Sequence, residues 1–288
     1  MSLDKKTRVD TLIATVPFVL GSLALLTILT SAQTANQSSS TQTSMKNGTN
    51  QVGAITRDGD VVYVGFMATD QDLIQLDDMR GVREIRARGG LDGSGGPKIG
   101  DAGLMHLKNL RELEVVDLDD TLKITDVGLS NLVGLTQMRE IKLNFNRNIT
   151  SAGLERLGAL RKLRVLEFYG APITDAGLEH IQNLVELEDL QLGLAPITDA
   201  GLVYLERFSN LKTLDLQSTM ITDAGLVHLK VLSKLEWLCI NNTRVTDAGI
   251  LHLRHLTNLR TVYLDGTQVT PDGEKNLKMS LPKVKYRD

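Results

Sequence analysis

The stretch Ile173-Thr-Asp-Ala-Gly-Leu recurs unchanged at Ile197 and Ile221, and it returns as Val245-Thr-Asp-Ala-Gly-Ile. These four copies are spaced by 24 residues. A unit this short has too little apolar surface to bury its own hydrophobic face, so consecutive units must stack on one another. The period therefore predicts a solenoid, and function is expected to lie on one of its exposed surfaces.

The full unit reads ITDAGLxxLxxLxxLxxLxLxxTx and contains two periodicities. In one copy, Leu202, Leu205 and Phe208 are spaced by three residues, which is typical of one face of a short helix. Leu214 and Leu216 are spaced by two residues, which predicts a strand. Complete copies begin at Ile99, Ile124, Ile149, Ile173, Ile197, Ile221 and Val245, a degenerate copy begins near Ala68, and a truncated copy begins at Val269.

The polar positions of the unit have structural interpretations. Thr198 is placed to cap the amides that open the helix, and Asp199 adds favourable charge at the helix N-terminus. Gly201 is expected to let the turn pass close to the neighbouring coil. An inward hydroxyl that bonds the backbone of the next coil is predicted for Thr121, Thr219, Thr243 and Thr267.

These motifs resemble the leucine-rich repeat family over about residues 68–284. The Thr-Asp-Ala-Gly-Leu segments look most like the cysteine-containing subclass found in F-box receptors and in many bacterial proteins. The repeat is a 24-residue form, and Thr or Ala stands where that subclass often has Cys. The resemblance implies an α/β solenoid, a right-handed superhelix with parallel strands on the concave face and helices on the convex face.

The N-terminus carries an apolar segment at residues 12–30, within a stretch that has no charged residue between Asp10 and Lys46. As a helix it would span about 28 Å, close to the thickness of a bilayer core. Lys5, Lys6 and Arg8 precede it and favour a cytoplasmic N-terminus with exported repeats. We expect a transmembrane signal anchor; the alternative is a signal peptide, cleaved near residues 30–32, that leaves a secreted or periplasmic protein.

The domain organisation follows from these segments. Between the anchor and the repeats, the Ser, Thr, Gln and Asn content predicts a polar linker that does not fold alone. The predicted segments are 1–32 (anchor or signal peptide), 33–52 (linker), 53–98 (N-terminal cap and degenerate first repeat), 99–268 (seven repeats) and 269–288 (truncated C-terminal capping repeat).

Composition excludes several classes of function. A net charge of −3 without a basic stripe argues against a nucleic-acid partner. The single cysteine, Cys239, precludes an intrachain disulfide. Nothing in the sequence calls for a metal or a small-molecule cofactor. The histidines follow one helix position of the repeat, which indicates repetition of a solvent-facing site; these are His106, His180, His228 and His252.

The outward strand positions form columns along the sheet, with neighbouring strands about 4.8 Å apart. The first four residues of the central column alternate in sign and predict a ladder of ion pairs. The column reads Arg86, Asp117, Lys142, Glu167, Gln191, Asp215, Cys239 and Tyr263.

The second half of this column predicts a different surface, because Asp215 and Cys239 have no opposite charge beside them. The adjacent columns add Trp237, the only tryptophan of the chain. Exposed aromatic residues beside unpaired acids suit protein recognition. The predicted partner-binding residues are Tyr169, Asp215, Trp237, Cys239, Tyr263 and Asp265.

The sequence therefore predicts a non-enzymatic protein–protein interaction module, tethered to a membrane or exported, that binds a protein partner on its concave face. No catalytic residues are assigned, because the histidines and the strand acids lie on opposite sides of each coil. The alternative is a cytoplasmic adaptor that resembles the F-box substrate receptors of protein ubiquitination. That alternative requires that residues 12–30 not enter a membrane.

Overall fold

The computed structural model describes residues 55–87, 96–121 and 123–287, which all belong to one compact unit. The predicted membrane segment at 12–30 and the predicted linker at 33–52 lie outside these ranges. Within the described ranges, no helix combines the length and the apolar character needed to cross a membrane.

The strands of the described residues form one sheet in chain order. The first pair is antiparallel, and every later pair is parallel. The strands are β1 (Ile55–Asp58), β2 (Val61–Val64), β3 (Glu84–Ala87), β4 (Val115–Asp117), β5 (Glu140–Lys142), β6 (Val165–Glu167), β7 (Asp189–Gln191), β8 (Thr213–Asp215), β9 (Trp237–Cys239), β10 (Thr261–Tyr263) and β11 (Lys285–Arg287).

A short helix precedes each parallel strand from β3 onward and occupies the other side of the coil. The α-helical segments are α1 (Asp70–Leu73), α2 (Asp101–Leu104), α3 (Asp126–Leu129), α4 (Ser151–Leu157), α5 (Asp175–Ile181), α6 (Asp199–Leu202), α7 (Asp223–Leu226), α8 (Asp247–Ile250) and α9 (Pro271–Ser280). Several continue directly as a 3-10 helix, at Ile74–Asp78, Met105–Leu107, Ser130–Leu132, Val203–Arg207, Val227–Val231 and Leu251–His255.

Leucine fills the core between the strands and the helices. Leu202, Leu205 and Phe208 from the helical side and Leu214 and Leu216 from the strand side all have 0 % exposure. Both predicted periodicities are therefore confirmed. Each fully buried side chain of this kind contributes roughly 1.5–3 kcal/mol to the hydrophobic stabilisation.

The predicted helix cap is present, and the aspartate that follows it has a second role beyond the one expected. Thr198 Oγ1 accepts a hydrogen bond from the Ala200 amide at 3.3 Å. Asp199 does more than place charge at the helix end, because its carboxylate accepts from the backbone amide of Thr222 at 2.7 Å and from the Thr222 hydroxyl at 2.6 Å. Asp199 therefore joins its own coil to the next one.

The same bridge recurs along the helical side and is here called the Asp–Thr ladder. In the one coil that has serine at this position, the Ser151 hydroxyl accepts from the Thr174 amide at 3.0 Å and lies 2.9 Å from the Thr174 hydroxyl. The other bridges join Asp101 to Thr125, Asp126 to Thr150, Asp175 to Thr198, Asp223 to Thr246 and Asp247 to Thr270.

The glycine of the repeat makes room for this aspartate. A Cβ atom built on Gly201 would collide with Asp175 Oδ1 and would lie 2.9 Å from Asp175 Cγ. A Cβ atom built on Gly225 or on Gly249 would collide in the same way with the aspartate of the preceding coil. The predicted close approach is confirmed, and its cause is the small size of glycine.

The threonines that close each strand point inward, but the predicted bond to the backbone of the next coil is wrong for all four of them. Thr219 Oγ1 donates to the Leu216 carbonyl of its own coil at 2.7 Å, and Thr243 donates to Ile240 in the same way. Only three residues separate each donor from its acceptor, so the hydroxyl closes a local turn. Thr121 also reaches the following coil, but it does so through the side-chain Oδ1 of Asn146, at 2.7 Å, and not through the backbone.

Candidate functional site

The solvent-facing side of the parallel sheet, which the sequence predicts to be concave, is here called the sheet face. Its central column has the register that the sequence predicts, because consecutive members of the column pair directly across neighbouring strands. These pairs are Arg86 with Asp117, Asp117 with Lys142, Lys142 with Glu167, Glu167 with Gln191, Gln191 with Asp215, Asp215 with Cys239 and Cys239 with Tyr263.

The N-terminal half of this column is a ladder of ion pairs. Arg86 Nη1 lies 3.7 Å from Asp117 Oδ2, and Lys142 Nζ lies 2.8 Å from Glu167 Oε1. The predicted ladder is therefore confirmed. These charges are satisfied within the sheet and are less available to a partner.

A second set of ion pairs precedes the strands and was missed by sequence reasoning. Glu114 lies between Arg83, at 3.5 Å, and Arg139, at 2.9 Å. Glu188 lies between Arg164, at 3.7 Å, and Lys212, at 2.5 Å. The hydrogen bond from Lys212 lowers the pKa of Glu188 below its usual range. The sequence does place each of these two glutamates between cations at the same position, one residue before the neighbouring strands.

Asparagine and aspartate side chains line the edge of the sheet face where the strands end. Asp119 accepts from both the backbone and the side chain of Asn144, at 2.7 and 3.1 Å. The Asn144 and Asn241 side chains in turn accept from the backbone amides of Tyr169, at 2.9 Å, and Asp265, at 2.7 Å. Burial, reinforced by the nearby charge of Asp117, raises the pKa of Asp119 to about 7.

Two of the predicted binding residues are not accessible. Asp215 is 7 % exposed and Cys239 is 3 % exposed, so the expectation that they are displayed on the surface is wrong. Burial raises the pKa of Asp215 to about 6 and raises the pKa of the Cys239 thiol above its usual range. Burial favours the neutral thiol and is typical of a structural cysteine.

Tyr169 explains part of this burial. Its ring lies across Gly193, because a Cβ atom on that glycine would meet the tyrosine ring at 2.6 Å. The Tyr169 hydroxyl accepts from Gln217 Nε2 at 3.2 Å, and Gln217 Oε1 accepts from Cys239 Sγ at 3.7 Å. Asp215 Oδ1 accepts a hydrogen bond from the backbone amide of Gln217 at 2.8 Å. Tyr169, Asp215, Gln217 and Cys239 thus form a connected polar layer across four strands.

Trp237 and Tyr263 lie beside this layer on neighbouring strands. Their ring centroids are 5.2 Å apart with an interplanar angle of 52°, and both side chains are partly exposed. Asp265, two residues after the strand that ends at Tyr263, is exposed. These three residues are here called the aromatic patch. The structure therefore brings Trp237, Tyr263 and Asp265 to the surface and places Tyr169, Asp215 and Cys239 in the adjoining layer.

Two histidines of the helical side, His106 and His228, pair with acids of the preceding coil. His106 Nδ1 lies 2.9 Å from Asp77 Oδ2, and His228 Nδ1 lies 2.7 Å from Glu206 Oε1. In the described part of the chain, no three histidine, cysteine, aspartate or glutamate residues gather in a metal-binding arrangement.

Comparisons with known proteins agree with this architecture. A family model described as Leucine Rich repeat matches residues 209–230. Internalin C2 of Listeria monocytogenes is similar in structure, with a TM-score of 0.55 and 27 % identity over 76 % of this chain and 84 % of that protein. None of the curated proteins matches this chain.

A leucine-rich repeat protein of Leptospira interrogans shares the fold at a TM-score of 0.53 and 17 % identity, over 75 % of this chain. The match spans 51 % of that protein, about half of its length. Together with the family match, these similarities support the leucine-rich repeat family and the solenoid fold of alternating strands and helices.

Proposed function

We propose that this leucine-rich repeat chain is a non-enzymatic module that binds a partner protein through the aromatic patch on its sheet face. The observation that carries the proposal is the pair of Trp237 and Tyr263, partly exposed and 5.2 Å apart between ring centroids. Neither ring fills the core, and the other coils keep the same architecture without an aromatic pair there. Tryptophan and tyrosine are the residues most enriched among those that dominate binding energy.

The polar layer beside the patch supports this proposal. Gln217 is 6 % exposed and is held by Tyr169 and Cys239, so the surface next to Trp237 is preorganised. A preorganised surface loses less side-chain entropy on binding. Asp215 and Cys239 are assigned a supporting role beneath the patch, while Asp265 is exposed at its edge.

A protein suits this surface better than a small molecule. Small-molecule sites are concave pockets that enclose most of the ligand. Two surface grooves, of about 390 and 240 Å³, are lined by other residues, from Thr257 to Lys285 in one and from Asp126 to Arg156 in the other. A repeated sheet offers instead a broad surface of the kind that solenoids use for extended partners.

We also propose that residues 12–30 anchor the chain in a membrane and that residues 33–52 link the anchor to exported repeats. This part of the proposal rests on the sequence alone. Protease protection of the full chain in cells tests it, because exported repeats are cleaved by a protease added outside while a cytoplasmic epitope at the N-terminus is not. A soluble cytoplasmic pool with an intact N-terminus contradicts it.

The binding proposal is tested by replacing both Trp237 and Tyr263 with alanine in the full chain. Crosslinked partners from the native host are then quantified by mass spectrometry. Loss of a central aromatic pair is expected to weaken binding by about 3 kcal/mol, or roughly a hundredfold. The matched control is Glu84→Ala with Arg86→Ala, which changes the same two columns on β3. Equal recovery of partners by the two double variants would contradict the patch.

A further inference from the structure

The lysines at the C-terminal end of the solenoid lack the partners that lysines have in the inner coils. Lys212 Nζ lies 2.5 Å from Glu188 Oε2, and Lys234 Nζ donates to Asn210 Oδ1 at 2.6 Å. In the last coil, the side chains of Lys283 and Lys285 are exposed, and neither forms an ion pair or a hydrogen bond with another described residue. Both ammonium groups are therefore available to an anion from outside the chain.

These two lysines line the larger surface groove, of about 390 Å³, which is here called the terminal groove. Arg260 adds a third cation to it. Arg260 Nε lies 3.6 Å from Glu236 Oε2, but the arginine side chain is 73 % exposed, so solvent weakens this pair. Among the residues that the structure describes, Glu236 is the only acid within ion-pair distance of these cations. The groove is lined by Thr257, Asn258, Leu259, Arg260, Thr261, Lys283 and Lys285.

The acids of the last coil lie at the opposite edge of the sheet. Asp265 follows β10, and Asp272 and Glu274 are in the first turn of α9, so all three lie where a strand passes to a helix. The terminal groove lies instead where the helix passes to the strand, between the end of α9 and the start of β11. The positive charge of the groove is therefore not neutralised by its own coil.

The terminal groove is continuous with the aromatic patch. Thr261, which lines the groove, pairs with Trp237 of β9 on one side and with Lys285 of β11 on the other. Two strand spacings separate the backbones of Trp237 and Lys285, a distance of roughly 10 Å. An extended segment covers that distance in about three residues. A single partner that covers Trp237 therefore also reaches the groove.

We propose that the terminal groove binds an acidic segment, rich in glutamate or aspartate, of the partner protein that covers the aromatic patch. The groove is open and its cations lie at the surface, which suits several carboxylates of an extended chain better than an enclosed small ligand. Contacts of this kind steer association and are weakened by salt. The inference rests on the proposed function, since it names the chemistry of the partner beside Trp237 and Tyr263.

The first test is a fluorescence anisotropy titration of the whole chain with two labelled peptides of equal length, one of glutamate and one of glutamine. At low salt the glutamate peptide is expected to bind at least about tenfold more tightly, because only its side chains carry charge. High salt is expected to reduce this preference, since it screens exposed charges. Equal affinity for the two peptides at low salt, or no binding of either, overturns the proposal.

Charge reversal locates the binding to the groove. Lys283→Glu with Lys285→Glu is expected to weaken binding of the glutamate peptide by at least about tenfold. The matched control is Lys275→Glu with Lys278→Glu, which makes the same change in net charge at exposed positions of α9 outside the groove. The control is expected to lose less than about threefold. Equal losses in the two variants show a response to net charge alone and overturn the assignment to the groove.

Inorganic phosphate tests whether the groove is a site for a small dianion instead. Phosphate is expected to displace the glutamate peptide no better than sodium chloride of the same ionic strength, because exposed lysines do not enclose a small ion. Displacement at a concentration at least about tenfold lower than that of the chloride salt overturns the acidic segment in favour of a small phosphate ligand.

The two binding proposals fail separately. Trp237→Ala with Tyr263→Ala is expected to keep the preference for the glutamate peptide, because neither residue lines the groove. Crosslinked recovery of native partners is expected to fall in the Lys283→Glu and Lys285→Glu variant and to stay unchanged in the α9 control. Partner recovery that depends on Trp237 and Tyr263 but not on the two groove lysines keeps the aromatic patch and overturns the groove.

Discussion

The two sides of each coil follow opposite rules. On the helical side, the Asp–Thr ladder repeats one set of hydrogen bonds from coil to coil, with only Ser151 and Gly100 in place of the usual residues. On the sheet face, ion pairs on β3 to β6 give way to a buried polar layer and then to an aromatic pair on β9 and β10. The positions that repeat therefore hold the coils together, while those that vary are free to specify a partner.

The largest effect is expected from Gly201→Ala on the helical side. The added Cβ collides with Asp175 and disturbs its two bonds to Thr198, which we expect to lower the free energy of unfolding by about 3 kcal/mol. Urea denaturation measures the loss. Asp175→Ala in the same chain removes the collision, so the double variant is expected to lose less than the sum of the single losses. Strictly additive losses in the double variant would contradict the proposed contact between residue 201 and Asp175.

A somewhat smaller effect is expected from Asp199→Ala. The change leaves the Thr222 amide and hydroxyl without their acceptor and is expected to cost about 2–3 kcal/mol. Asp199→Ser is the matched control, because Ser151 fills this position in another coil and contacts Thr174. Thermal melting should rank the serine variant between wild type and alanine; an alanine variant as stable as wild type removes the structural role of the ladder.

The sheet face offers a test through pH. Since burial raises the pKa of Asp215 to about 6, the folded state binds more protons than the unfolded state between about pH 4 and pH 6. The stability of wild type relative to Asp215→Asn is therefore expected to fall by about 2–3 kcal/mol as the pH rises through this window. Melting curves of both proteins from pH 4 to pH 8 report the difference, with exposed Asp265→Asn as the control. Parallel curves for wild type and Asp215→Asn would refute the prediction.

The smallest effect is expected at the outer ion pairs. Arg139 pairs with Glu114 at 2.9 Å, but its side chain is 45 % exposed. We expect Arg139→Gln to change the free energy of unfolding by only about 0–0.5 kcal/mol, because solvent screens exposed pairs. Chemical denaturation at low and high salt measures this change. If Arg139→Gln lost as much stability as Asp199→Ala, the helical side would not contribute more to stability than the ion pairs, contrary to our expectation.

The sequence was sufficient for whatever depends on the period alone. It placed the buried leucines, the cap at Thr198 and the register of the central column, because each follows from a residue's position within the repeat. It assigned Asp199 only to its own helix, although the bonded partner is Thr222, in the next copy of the motif. The repeat pattern shows that an aspartate recurs at this position, but it does not show which residue the aspartate bonds.

The sheet face was harder to predict because it depends on individual side chains. Asp215 and Cys239 occupy outward positions, yet they are buried beside a layer that begins at Tyr169, two strands away. That reach requires the glycine at position 193, which has no special meaning in the repeat. The left-handed backbone at Phe145 and Leu194 leaves no signal in the sequence, because leucine and phenylalanine are not the residues expected there.

The Asp–Thr ladder also has a direction. In each bridge between an aspartate and a threonine, the acceptor belongs to the earlier coil and the donor is the threonine 23 or 24 residues later. A ribosome makes the chain from the N-terminus, so each acceptor is synthesised before its donor. Each new coil can therefore donate its hydrogen bonds to a coil that has already been synthesised. The solenoid is suited to form one coil at a time during translation.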